Sequence, residues 1–146
     1  MRILIIISLF FSITVHAGQV TVMEAVGFFY SKQISYKSLI DTCKVDFPSL
    51  ESDLSNSYDK WAASNERLLA FTDEIVAQAK IEVPHVVGNM TKAGLAAVSK
   101  VYDIMPSETQ KRYCNEHIEK LSNGEWDFKA YKPDYFKAVD NYLKTR

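Results

Sequence analysis

Apolar side chains recur every three or four positions through the middle of the chain, which is the pattern of helices that bury one face. The longest series begins after Pro48 and continues to about Lys80. A proline suits the first turn of a helix, because the N–H that it lacks would have no helical partner there. The series predicts one long amphipathic helix whose inward face consists of Leu50, Leu54, Tyr58, Trp61, Asn65, Leu68, Thr72, Ile75 and Ala79.

The segments on either side of this series are less regular. Residues 18–33 fit either a helix or an extended arm, and a short helix is expected near residues 35–44. Another helix is expected after Pro84. Gly94 lowers the helix propensity of that segment by about 1 kcal/mol relative to Ala, but the small residues around it allow a neighbouring helix to approach closely.

Two further helices are expected in the last part of the chain. Pro106 ends the preceding helix, and Ser107 and Gln110 have the spacing of an N-terminal capping box. This helix should stop at Gly124, a left-handed C-terminal signal. Pro133 then begins the last helix.

The first 17 residues have the features of a signal peptide. A basic position precedes an apolar run over residues 3–13, and Val15 and Ala17 occupy the −3 and −1 positions of a cleavage site. The run is shorter than the about 20 residues that a membrane-spanning helix needs, so no stable membrane anchor is expected. The sequence therefore predicts a signal peptide over 1–17 and a periplasmic or secreted domain over 18–146.

The predicted domain contains two cysteines, Cys43 and Cys114, and neither belongs to a C-x-x-C pair. Exported proteins fold in an oxidising compartment, where an even number of cysteines usually forms disulfides. We therefore expect a bridge between Cys43 and Cys114. The predicted fold class is all-α, a small antiparallel bundle of four to five helices with this one disulfide, formed as a single domain.

Catalytic and metal-binding motifs are scarce in the sequence. The 17 basic and 18 acidic residues give a net charge of −1, so no basic excess indicates nucleic acid binding. The chain has no Walker loop, G-x-S-x-G or H-E-x-x-H motif. His85 and His117 have no second ligand at metal-site spacing except Cys114, which the expected disulfide removes. No metal and no cofactor are therefore expected.

Trp61 and Asn65 stand one turn apart on the predicted inward face, and two interpretations of the pair remain open. In the first, Trp61 anchors the core and a neighbouring backbone group satisfies the Asn65 amide. In the second, the two residues form a ligand pocket, with Trp61 as a wall and Asn65 as the polar contact.

Aromatic residues are concentrated in the C-terminal segment, where Trp126, Tyr131, Tyr135 and Tyr142 form a candidate partner surface. Trp126 and Tyr131 precede the last predicted helix, and Tyr135 and Tyr142 share one stripe of it. Trp and Tyr are the residues most enriched at the energetic centres of protein interfaces. The alternative is that the segment seals one end of the bundle.

One layout of residues spans positions 43–127: Cys43, Phe47-Pro48, Trp61, Asn65, Tyr113-Cys114, Gly124 and Asp127. It resembles a loose group of small, uncharacterised exported bacterial helical proteins. In that group a cysteine stands shortly before a helix with W-x-x-x-N, and a second cysteine lies in a later helix followed by Gly-x-x-Asp. The resemblance implies the helical fold and the disulfide, and it implies no catalytic residue.

Taken together, the sequence favours a non-enzymatic exported protein that binds a protein partner in the same compartment, as inhibitors and immunity proteins do. One alternative is a small-ligand-binding periplasmic helical protein with a pocket near Trp61. Another is an enzyme that uses dispersed acidic residues. An exposed aromatic patch would favour a protein partner, and an enclosed cavity would favour a small ligand.

Overall fold

Residues 20–146 are described by a computed structural model and contain seven α-helices and no β-strand. The all-α class and the disulfide are confirmed, whereas the expected count of four to five helices is too low. The predicted signal peptide lies outside the described residues. The helices are α1 Val22–Asp46, α2 Glu51–Ser64, α3 Glu66–Glu82, α4 Pro84–Tyr102, α5 Ser107–Ser122, α6 Phe128–Tyr131 and α7 Pro133–Thr145.

Helix α1 is one continuous helix of 25 residues, so the prediction of a separate short helix near 35–44 is wrong. Its start is fixed by a capping box that the sequence analysis missed. Thr21 Oγ1 accepts a hydrogen bond from the Glu24 N–H at 3.2 Å, and Glu24 Oε2 accepts one from the Thr21 N–H at 2.7 Å. The polar residues near position 33 contain no Gly or Pro, and nothing there interrupts the helix.

The predicted long helix after Pro48 is divided in two. A short 3₁₀ turn covers Pro48–Leu50, and the α-helical path is broken at Asn65, whose φ of −112° and ψ of 10° lie outside the helical region. The predicted inward stripe is nevertheless confirmed, because none of its nine side chains is exposed. The burial pattern was therefore predicted correctly, and the break within it was not.

Of the two signals predicted for the ends of α5, only the C-terminal one is confirmed. No side chain caps its N-terminus, so the predicted capping box is wrong. The Gln110 amide instead donates to the backbone carbonyl of Tyr102 at 3.1 Å. At the other end Gly124 has a φ of +80°, which confirms the left-handed stop signal.

Helix α1 is the central element of the fold, since it packs against α2, α3, α4, α5 and α7. The Cys43–Cys114 disulfide joins its last turn to α5, with both cysteines fully buried and their Cα atoms 5.9 Å apart. α4 approaches α1 closely at Gly94. A Cβ atom there would lie 2.9 Å from the Ser31 carbonyl oxygen. Among the described helices, none is long and apolar enough to span a membrane.

Candidate binding site

A hydrogen-bonded junction joins the break between α2 and α3 to the segment that enters α6. The Trp61 indole N–H donates to the backbone carbonyl of Trp126 at 2.9 Å. Asn65 Oδ1 accepts the Phe128 N–H at 2.9 Å, and Asn65 Nδ2 donates to the Trp61 carbonyl at 2.8 Å and to Asp127 Oδ1 at 3.2 Å. These bonds satisfy the buried amide of Asn65 on both sides.

Trp61 lies wholly inside the fold. Its ring makes edge contacts with Tyr36 and Phe128 at centroid distances of 5.2 and 5.4 Å, and a tilted contact with Tyr58 at 5.5 Å. Trp61 has no exposed surface, and Asn65 has 3%. This geometry has the form of the core interpretation. An open space is lined by Tyr36, whose ring contacts Trp61, and by Trp126.

That space is a cleft of about 320 Å³ between α1, α4, α5, the segment that leads into α6, and α6 itself. Small side chains of α4 line one side of it, and aromatic and charged side chains line the rest. We call it the aromatic cleft. Its aromatic and basic lining residues include Lys32, Tyr36, His117, Lys120, Trp126 and Tyr131.

Stacked rings give the aromatic cleft a well-packed wall. The Tyr36 and Trp126 rings are nearly parallel, with centroids 4.7 Å apart and planes 7° apart. The His117 imidazole meets the Trp126 ring edge-on at 4.4 Å and contacts Tyr113 at 4.2 Å. The backbone carbonyl of Trp126 also accepts the hydrogen bond from the buried Trp61 indole, so the core supports this wall of the cleft.

His117 has a defined tautomer at this site. Its Nδ1 lies 2.8 Å from the Tyr113 carbonyl oxygen, which can only accept, so Nδ1 carries the proton and Nε2 is left as an acceptor. Burial lowers the pKa of His117 to about 4, opposed by the Tyr113 hydrogen bond and reinforced by the charges of Lys120 and Lys32. His117 is therefore neutral at neutral pH.

Two lysines lie over aromatic rings at the cleft. The Lys32 ammonium is 5.3 Å from the centroid of Tyr131, 5.9 Å from that of Tyr36 and 5.8 Å from that of Phe28. Within residues 20–146 it forms no salt bridge. Lys120 lies 5.6 Å from the Trp126 ring centroid and differs from Lys32, because it also pairs with Glu125 at 3.6 Å.

The structure brings together three of the four candidate partner-surface residues. Trp126 and Tyr131 line the aromatic cleft, and Tyr131 and Tyr135 both contact Phe28, at centroid distances of 6.2 and 5.0 Å. Tyr142 instead packs on Phe71, at 5.6 Å. Tyr135 and Tyr142 therefore share one face of α7 but contact different residues, Phe28 and Phe71.

No pattern in the sequence predicted that Lys32, Tyr36 and His117 line the same cleft. The expected disulfide could have predicted that Tyr36 and His117 lie close together. Tyr36 precedes Cys43 by seven positions, hence lies on the same face of α1, and His117 follows Cys114 by three positions on α5. A bridge that holds these two faces together also brings Tyr36 and His117 to one site.

Other reactive groups are not gathered in this way. In the part of the chain that the structure describes, no three His, Cys, Asp or Glu residues are grouped as metal ligands. Cys114 is committed to the disulfide, so it offers no thiolate beside His117. Glu116 and Glu119 on α5 are exposed.

Comparison of the chain with protein-family models, with curated proteins and with solved structures finds no match.

Proposed function

We propose that this is an exported binding protein that recognises a protein partner in its own compartment, of the inhibitor or immunity type. The observation that carries the proposal is a cluster of aromatic rings and lysines that shares Lys32 and Tyr131 with the aromatic cleft. We call it the aromatic–lysine face. It consists of Phe28, Lys32, Tyr131, Lys132 and Tyr135.

The rings of the aromatic–lysine face are of the kind enriched at the centres of protein interfaces, and its lysines border them. Tyr131 is 37% exposed while its ring lies nearly parallel to that of Phe28. Lys132 reaches over the rings of Phe28 and Tyr135, each at 5.8 Å from its ammonium group. Large, partly exposed rings supply contact area at a small loss of side-chain entropy, and the lysines favour a partner surface that is acidic.

The location in the proposal rests on one structural observation and one sequence prediction. The buried Cys43–Cys114 disulfide fits an oxidising compartment outside the cytosol. The predicted signal peptide over 1–17 fits export. Together they support a periplasmic or secreted protein that meets its partner there.

The experiment is affinity capture of the partner from the exported fraction of the host, followed by titration of the purified partner with variants. Tyr131→Ala and Tyr135→Ala should each weaken the complex at least tenfold, because both rings belong to the aromatic–lysine face. Tyr142→Ala is the matched control, since Tyr142 is a comparably exposed tyrosine that packs elsewhere.

Melting curves recorded beside each titration separate loss of binding from loss of fold. If only Tyr142→Ala weakens binding, or if all three variants bind as the wild type does, the partner does not use the aromatic–lysine face and the proposal falls.

The aromatic cleft supports a second candidate function, the binding of a small ligand. Its volume of about 320 Å³ lies at the lower end of the range for ligand sites. The lining combines flat apolar walls with a few polar groups, which is the composition of such sites.

A further inference from the structure

We propose that the aromatic cleft binds a monocarboxylate carried on a flat apolar body, with the carboxylate beside Lys32 and the apolar part against Tyr36 and Trp126. The inference rests on the small-ligand candidate above and specifies its ligand class. It applies equally to a free organic acid and to the C-terminal residue of a peptide, which present the same chemistry.

The charge of the ligand follows from the charges around the cleft. Lys120 is paired with Glu125 at 3.6 Å, and Glu116, which also lines the cleft, lies 4.0 Å from Arg112. His117 is neutral. Lys32 therefore supplies the one cleft cation that has no carboxylate partner among the described residues. A single unpaired positive charge suits a monoanion better than a phosphate dianion.

The apolar body of the ligand follows from the walls. Tyr36 is 5% exposed, and its ring and that of Trp126 form a parallel stack that is continuous with the His117 and Tyr113 rings. Aromatic walls favour flat or branched apolar groups. The volume of about 320 Å³ suits a group the size of one large amino acid.

His117 supplies a second polar contact. With Nδ1–H bonded to Tyr113, the Nε2 atom has no protein partner in the described part of the chain. Protonation of Nε2 would make it a donor to a carboxylate. A bound monoanion should therefore favour the protonated form and raise the pKa of His117, whereas a neutral ligand should not.

The test uses two pairs of probes in which a carboxylate is compared with its neutral carboxamide of nearly the same shape. The first pair is 3-phenylpropionate and 3-phenylpropionamide. The second is acetyl-Ala-Ala-Phe with a free and with an amidated C-terminus. Binding to the purified protein is followed by NMR, through the indole N–H of Trp126 and the imidazole signals of His117. We expect each acid to bind at least tenfold more tightly than its amide and to raise the pKa of His117.

Variants of two lysines on the same helix identify the charge that is used. Lys32→Gln should reduce acid binding at least fivefold and leave amide binding unchanged, and Lys32→Arg should retain the preference. Lys37→Gln is the control, because Lys37 is exposed and lines a different groove of α1. The acid–amide difference in the unaltered protein remains decisive if Lys32→Gln does not fold.

The outcomes separate the two levels of the proposal. If no probe shifts the Trp126 or His117 signals, the cleft binds neither these acids nor their neutral analogues; the carboxylate inference is overturned, and the second candidate function loses flat apolar ligands of this size. If acid and amide bind equally, or if Lys32→Gln folds and retains the preference for the acid, the cleft binds a ligand but the carboxylate assignment is wrong. Binding of phenylpropionate without the peptide identifies a free acid as the source, and tighter binding of the peptide identifies a chain terminus.

Discussion

The indole N–H of Trp61 donates a hydrogen bond to the backbone carbonyl of Trp126, 65 positions later in the chain, at 2.9 Å. Trp61 is fully buried, and the Trp126 ring is a wall of the aromatic cleft. The bond therefore links the centre of the core to the candidate binding site. A substitution of Trp61 should therefore affect both the core and the aromatic cleft.

Replacement of Trp61 tests its role in the core. Trp61→Ala should lower the free energy of unfolding by about 3–5 kcal/mol, the range for a large buried aromatic. Trp61→Phe retains a ring but leaves the Trp126 carbonyl without its donor, and should lose about 1–3 kcal/mol. Denaturant unfolding measures both. An unchanged unfolding curve for Trp61→Ala would show that the indole does not support the fold.

Asn65 should be intolerant of a change that keeps its shape and alters its hydrogen-bonding groups. In Asn65→Asp the donor to the Trp61 carbonyl becomes an acceptor, and a second carboxylate is placed beside Asp127. We expect a loss of about 2–4 kcal/mol at neutral pH. Asn56→Asp, on the exposed face of α2, is the matched control and should change the free energy of unfolding by less than about 0.5 kcal/mol. Equal losses at the two positions would contradict the assigned junction.

Two glycines of α4 should respond oppositely to the same substitution. A Cβ at Gly94 would lie 2.9 Å from the Ser31 carbonyl oxygen and 3.1 Å from Ile34 Cγ2, so Gly94→Ala should destabilise the protein by about 1–3 kcal/mol. Gly88 has open space around it, and Gly88→Ala should stabilise by about 1 kcal/mol through helix propensity. Thermal melting of both variants tests this prediction. Stabilisation by both substitutions would mean that α1 and α4 are not in close contact.

The helical stripes were predictable because burial imposes a period of three to four residues on the sequence, and this period is local. The break at Asn65 was not, because no Gly or Pro marks it. Its side chain donates to the Trp61 carbonyl, which also accepts the Asn65 backbone N–H at 3.1 Å, and it accepts from Phe128, a residue 63 positions away. The bond to Phe128 is a tertiary contact at the break, and no local pattern contains it.

The candidate site was predictable only in part for a similar reason. Trp126 and Tyr131 were selected by composition, and the cleft that they line depends on α1 docking beside α5. Tyr142 was selected by its seven-residue spacing from Tyr135, but a shared stripe does not require a shared neighbour. Tyr142 contacts Phe71, whereas Tyr135 contacts Phe28.

The disulfide should contribute strongly to stability. It closes a loop with a sequence separation of 71, and the chain-entropy model assigns such a loop about 4 kcal/mol. The double variant Cys43→Ala/Cys114→Ala should therefore lose about 2–4 kcal/mol, measured by denaturant unfolding. Thiol titration of the denatured, unreduced protein should find no free thiol, and two reactive thiols per chain would contradict the bridge.

His117 should make the protein less stable in mild acid. Burial holds its pKa at about 4, below its ordinary value of 6.5, so between these values the unfolded chain binds more protons than the folded protein. The free energy of unfolding should consequently be unaffected by His117 above about pH 6.5 and should fall as the pH drops towards 4, by at most about 3 kcal/mol.

A comparison of variants isolates this contribution from that of the neighbouring charges. Three other charged residues line the same cleft: Lys32, Lys120 and Glu116. Three carboxylates elsewhere have pKa values lowered by their own partners: Glu24, Glu74 and Asp140. All six residues are unchanged in every variant. His117→Asn keeps an amide that can donate to the Tyr113 carbonyl but removes the titration of the imidazole, so it should reduce the slope of the unfolding free energy between pH 6.5 and 4 relative to the wild type. His85→Asn, at an exposed histidine, should retain the wild-type slope. Equal slopes for the wild type and His117→Asn would show that the imidazole is not held neutral by burial.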